Sequence, residues 1–147
     1  MATVIIRPDQ GGASTGFDAD VTTQGGIDKI SDNSDSTAIT QNQSSAQFQV
    51  RMENSADYSG ATINSVQMFL RGVPGRAGSA DVEVKVLNAA DDVLQTTDLS
   101  FGEGTETLNG ITLTSGLTPT VVDGLQLFVN PDSAGITIYD CWIVVDF

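Results

Sequence analysis

The residues in this chain that could do chemistry are almost all carboxylates, gathered in short loop-like clusters. Asp18-Ala19-Asp20 and Asp32-Asn33-Ser34-Asp35 are two such clusters, and Asp91-Asp92 is a third. Hard oxygens in loops are what calcium takes, six to eight at a time, with backbone carbonyls among them. None of the clusters has the glycine at position six and the glutamate at position twelve of a calcium-binding EF-hand loop. Asx-rich segments are also good turns in their own right. Asp18, Asp20, Asp32 and Asp35 therefore stand as calcium candidates only, and no other cofactor is expected. Paired carboxylates also serve glycoside hydrolysis. With 19 Asp+Glu in 147 residues some proximity is inevitable, so no catalytic pair is assigned. The chain has no His and one Cys. That excludes a Ser-His-Asp triad, a Cys-His pair, a His-ligated zinc and an internal disulfide. Cys141, beside Trp142 in an apolar run, reads as a small buried hydrophobe.

Charge narrows the partners. Six Lys+Arg against 19 acids leave a formal charge of −13. No basic patch is available for nucleic acid or an anionic membrane. The six bases all lie at or before Lys85, and Val86 to Phe147 carries nine acids and no base. No apolar run is long enough to cross a membrane as a helix. The opening Met1 to Pro8 does not read as a signal peptide, so assembly in a cytoplasm is expected.

The elements that must position these residues are strands. Residues 1–46 are rich in Gly, Ser, Thr, Asp, Asn and Gln. They read as an irregular arm with one or two short strands (2–7 and 36–41), pinned by Phe17, Val21, Ile27 and Ile30. Residues 47–147 carry a period of two, which marks half-buried strands. Strands are predicted over 47–52, 63–71, 81–88, 93–101, 107–114, 121–130 and 136–147, with Gly, Pro and Asx turns between them. No segment shows a helical period. The last strand is apolar on both faces, with Tyr139, Cys141, Ile143, Val145 and Phe147 on one side and Ile136, Ile138, Trp142 and Val144 on the other. The expectation is a single all-β domain, a two-sheet antiparallel sandwich of jelly-roll type with an extended N-terminal arm.

Four aromatic residues are candidates for contact with a partner. Tyr58 lies in a polar loop. Phe69 falls on the polar face of its strand, Phe128 lies opposite Leu127 and Val129, and Trp142 is on the second face of the last strand. Exposed aromatics of this kind mark protein or ligand contacts. The glycine-rich tip 72–78 lacks the Gly-Lys-Ser/Thr of a phosphate loop.

Three stretches resemble small jelly-roll virion proteins of tailed bacteriophages. They are Ile6-Arg7-Pro8-Asp9 with Gly16-Phe17 and Gly26-Ile27-Asp28, then Ala61 to Val66 before a Gly/Pro-tipped hairpin, then Val122 to Leu127 with Ile136 to Phe147. The resemblance implies a non-enzymatic capsid decoration (cement) protein on the virion. It would bind the major capsid protein or other virion proteins, as a homo-oligomer such as a trimer. Contact would then run through Ile5, Ile6, Arg7, Phe17, Ile27, Phe69, Phe128 and Trp142, and deleting residues 1–30 would leave the sandwich folded. The alternative is a glycan- or receptor-binding module of a tail fibre, touching its ligand with Tyr58 and the 72–78 tip.

Overall fold

The computed structural model describes residues 2–75 and 78–147. It is an all-β sandwich of two five-stranded sheets in which every strand pairing is antiparallel. In chain order the elements are β1 (Thr3–Ile6), β2 (Pro8–Thr15), α1 (Gln24–Asp28), β3 (Ile39–Thr40), β4 (Gln47–Met52), β5 (Ser65–Pro74), β6 (Ala80–Leu87), β7 (Val93–Phe101), β8 (Glu106–Leu113), α2 (Pro119–Asp123), β9 (Gln126–Pro131) and β10 (Ile136–Asp146). The first sheet runs β1-β10-β5-β8, with β3 also on β10, and the second runs β2-β4-β9-β6-β7.

The alternation in the sequence becomes two faces. In β4, Phe48, Val50 and Met52 point inward, and in β6 so do Val82, Val84 and Val86. Successive side chains on a strand leave on opposite sides. The two inner faces therefore meet in one core, with Met68, Leu70, Ile111, Ile143 and Val145 supplied by the first sheet. Each fully buried aliphatic side chain contributes about 1.5–3 kcal/mol. Among the described residues no helix is long and apolar enough to cross a membrane.

The N-terminal 46 residues are not an arm outside this core. β1 closes one edge of the first sheet and β2 closes one edge of the second, the chain crossing between sheets at Arg7. Ile6, Val21, Ile27, Ile30 and Ile39 are all buried. α1 is a single turn, too short for a helical period to show. The Thr23 hydroxyl accepts from the Gly26 amide at 3.2 Å and caps its start. Gly26 is obligatory there, since a Cβ would sit 2.0 Å from the Asp20 carbonyl oxygen.

Two further expectations change. The predicted strand 121–130 is a helical turn followed by β9. Thr118 caps α2, and Pro119 fits the start of the turn because it has no N–H to satisfy. In β10 the register with β5 shifts between Ile138 and Asp140, with Tyr139 as the extra residue. A bulge of this kind changes the phase of the side chains beyond it. Ile136 and Ile138 thus face the core before the bulge, and Cys141, Ile143 and Val145 face it after. That is why the strand looks apolar on both faces in the sequence. The tip beyond β5 includes Arg76 and Ala77, which lie outside the described residues.

Candidate functional site

The structure sorts the expected contact residues into three groups. Ile6 and Ile27 are core residues, 1% and 2% exposed, with no surface to offer a partner. Phe17 packs edge-on against Phe48 with ring centroids 5.5 Å apart and is half-buried. Ile5, Arg7, Phe69 and Trp142 share the outer face of the first sheet, and Phe128 stands on the outer face of the second.

On the first sheet, strand register places Trp142 opposite Phe69 and Ile5 opposite Val144. The Trp142 and Phe69 rings stack at 5.5 Å with 10° between their planes. The Arg7 guanidinium lies 6.0 Å from the centre of the Trp142 ring. Guanidinium, indole and phenyl thus form a ladder that runs from the β1–β2 crossing over β10 to β5. A cross-strand stack stabilises a sheet, and it leaves little of the indole face open to a ligand.

The second sheet presents a different surface. Phe128 of β9 is half-buried, with Gln49 of β4 on one side and Lys85 of β6 on the other. The next outward pair is Asn130 with Glu83. The Lys85 ammonium sits 5.3 Å from the centre of the Phe128 ring and 3.6 Å from Glu83 Oε1. Gln49 Nε2 donates to Gln126 Oε1 at 2.9 Å and to Asp91 Oδ1 at 3.1 Å. Gln126 Nε2 donates to the Asn88 carbonyl at 2.9 Å and to the same Asp91 oxygen at 2.8 Å. Gln126 is only 2% exposed, so these bonds satisfy an otherwise costly buried amide. Asp91 reaches this position from a tight turn in which its own φ is +66°. The Asn88 side-chain oxygen accepts from the amides of Ala90 and Asp92 and holds that turn. One aromatic ring is thus set among fixed amides, an ammonium and carboxylates. Such a surface can take a ligand with both C–H faces and hydroxyl groups. The sequence marks Phe128 as an outward aromatic, but not Gln49 or Gln126, whose anchoring depends on three strands meeting.

Tyr58 is not a surface contact. Its ring is fully buried, and its hydroxyl donates to Asp123 Oδ1 at 2.5 Å and accepts from the Ser55 amide at 3.3 Å. Burial, with the Asp123 carboxylate second, pushes the phenol well above its usual range. The residue is a pillar beneath a polar groove of about 580 Å³ that Asn54, Ser55, Ser59 and Thr120 also line.

The acidic clusters are turn builders. Asp20 Oδ1 accepts from the Thr22 amide and hydroxyl at 2.9 and 2.6 Å, which lowers its pKa. Asp18 accepts from the Thr40 amide at 2.8 Å. Asp32 accepts from the Ser34 amide and the Thr37 hydroxyl. Asp35 takes the Arg71 guanidinium in a two-pronged pair at 2.7 Å each, and that pair holds its carboxyl below the usual range. Among the described residues no group of three or more Asp, Glu or Cys is placed to hold a metal ion.

One carboxylate sits under strain of another kind. Asp140 is 2% exposed, Arg7 reaches its Oδ2 at 3.4 Å, and its Oδ1 has no partner. Desolvation outweighs the Arg7 attraction and lifts its pKa from 3.8 to about 6. The folded chain therefore holds a proton between those values that the unfolded chain has released. Stability from this group falls as pH rises through that window. The melting temperature of the wild type relative to Asp140→Asn is expected to rise as pH drops from 7 to 4.5. A difference that stays flat with pH contradicts this.

The sequence matches no protein-family model and no curated protein. Among solved structures, the chain is similar to the C-terminal CBM6, a carbohydrate-binding module, of LamC, a marine laminarinase from Zobellia galactanivorans. That match covers 99% of this chain and 100% of the module, with TM-score 0.55 and 13% identity. The enzymatically active domain of tailspike protein 4 from bacteriophage CBA120 matches 97% of this chain but 19% of its own, with TM-score 0.47 and 12% identity. The arabinose-bound α-L-arabinofuranosidase MgGH51 matches 69% of this chain and 19% of its own, with TM-score 0.42 and 15% identity. The class defined is a two-sheet antiparallel β-sandwich, CBM6-like in fold. The tailspike and arabinofuranosidase matches are too loose to add to this.

Proposed function

We propose that this chain is a non-catalytic, glycan-binding β-sandwich module that contacts sugar with the outer face of β4, β9 and β6. The observation that carries this reading is the lone Phe128 ring among amides already anchored by Asp91. A pyranose ring has an apolar C–H face, which stacks on a phenyl ring, and a rim of hydroxyls, which pair with amides and charged groups. Gln49, Lys85 and Asn130 supply that rim. Because Gln49 is held before the ligand arrives, little side-chain entropy is lost on binding. The fold shared with a carbohydrate-binding module agrees with this reading and does not carry it.

A labelled panel of neutral and acidic polysaccharides in native affinity gels tests the proposal. The wild type is retarded by at least one member, Phe128→Ala loses at least about tenfold in affinity, and Phe69→Ala behaves as wild type. Phe128 is half-buried, so the melting temperature of Phe128→Ala stays within a few degrees of wild type. No retardation across the panel, or equal retardation of Phe128→Ala, overturns the proposal.

A second reading, contact with other copies or with a virion surface, rests on the opposite sheet. Ile5 is 50% exposed there beside Val144, Trp142 and Phe69. The capsid-decoration role belongs to this reading.

A further inference from the structure

The flank opposite the N-terminal edge strands carries a feature that glycan binding does not use. β7 ends the second sheet and β8 ends the first, and the 102–105 turn joins them. One open edge of each sheet therefore lies on the same side of the sandwich, away from β1 and β2. Between the far ends of these strands is a groove of about 470 Å³ whose apolar lining is Leu94, Leu113, Leu117 and Val121. The exposed large hydrophobic residues among those described are Ile5, Val93 and Leu94, at 50%, 50% and 41%. Two of the three thus stand together at the start of β7. An open edge with exposed aliphatic side chains is a template for another strand.

Charge identifies what fits. Asp91, Asp92 and Asp98 are exposed on or just before β7, Glu103 is exposed in the turn, and Glu106 opens β8. No base occurs anywhere after Lys85. A second copy adding its own β7 would set these acids against one another, at −13 per chain. An anionic membrane is repelled for the same reason. The chemistry that complements this flank is an extended segment alternating aliphatic and basic side chains.

We propose that β7 accepts such a segment from a partner protein as an added antiparallel or parallel strand. One of its aliphatic side chains fills the groove beside Leu94, and its Lys or Arg side chains meet Asp92 and Asp98. The probe is a capped decapeptide of alternating Leu and Lys, titrated into ¹⁵N-labelled protein. Leu-Glu and Ala-Lys decapeptides serve as controls.

The Leu-Lys peptide is expected to shift and protect the amides of Val93 to Phe101 and to perturb Leu113 and Leu117. It binds at least about tenfold tighter than either control. Leu94→Lys and Leu94→Ala both weaken it by a similar factor, and because Leu94 is 41% exposed both variants stay folded. Phe128→Ala leaves peptide binding unchanged, which keeps this surface distinct from the glycan face. Equal binding of Leu-Glu or Ala-Lys, or perturbation elsewhere on the chain, overturns the proposal. So does concentration-dependent protection of β7 without peptide, which would make the occupant a second copy.

Discussion

Deleting residues 1–30 is expected to abolish the cooperative unfolding transition. The sequence alone casts this stretch as a detachable arm, but it holds β1 and β2, an edge strand of each sheet. β1 pairs with β10 from Thr3↔Asp146 to Ile6↔Ile143, and β2 pairs with β4 along its length. Ile6, Val21, Ile27 and Ile30 are each at most 2% exposed. At about 1.5–3 kcal/mol apiece, their loss removes roughly 6–12 kcal/mol. The whole stability of a domain is about 5–15 kcal/mol. The truncation also takes away the Ile30 carbonyl that accepts from the Cys141 amide at 3.1 Å, just past the bulge in β10. Thermal unfolding followed by near-ultraviolet circular dichroism checks this. The expected trace has no cooperative step, and a truncated chain melting within a few degrees of the full one contradicts it.

Tyr58→Ala carries the second largest effect. The residue comes from a loop, Asn54 to Gly60, that reads as exposed and polar. Its ring is nonetheless fully buried and meets Phe147 edge-on at 6.1 Å and 74°. Phe147 is itself tied to Ala2 by two backbone hydrogen bonds, at 2.7 and 2.9 Å. The ring therefore joins the 54–60 loop to the paired chain ends, and its hydroxyl joins both to α2 through Asp123. Truncating a buried aromatic to alanine costs about 3–5 kcal/mol. Tyr58→Phe keeps the ring and loses a hydrogen bond to a charged acceptor, for about 1.5–3 kcal/mol. The two variants are separated by their denaturant midpoints at unchanged slope. Equal midpoints for both would show that the ring contributes nothing and contradict the pillar role.

β4 falls at 47–52 with the bounds that alternation predicts, because one face is buried and a period of two records it. β7 also falls at its predicted 93–101, although only Leu99 and Phe101 in it are buried. β2, Pro-Asp-Gln-Gly-Gly-Ala-Ser-Thr, has no such record. It is a strand because β4 offers it a ladder and because Gly11 allows close approach. A Cβ at Gly11 would lie 1.9 Å from the Val21 carbonyl oxygen. The Tyr139 bulge is a tertiary event with no local signature, so it misplaces the faces of half a strand. At the candidate site the split is similar. Phe128 is legible as an apolar residue out of phase with its neighbours. Asp91 looks like an ion ligand and serves instead to hold two glutamine amides, a role set by residues 35 and 42 positions away.

In the proposed function, sugar lies on the β4-β9-β6 face. Amide chemical-shift mapping tests it most directly, with ¹⁵N-labelled protein titrated by an oligosaccharide cut from the polysaccharide that retards it most. Perturbations are expected to concentrate at Gln47 to Arg51, Glu83 to Lys85 and Phe128 to Asn130, and to be lost in Phe128→Ala. Perturbations centred on Ile5, Phe69 and Trp142, or on the Asn54 to Gly60 groove, contradict it.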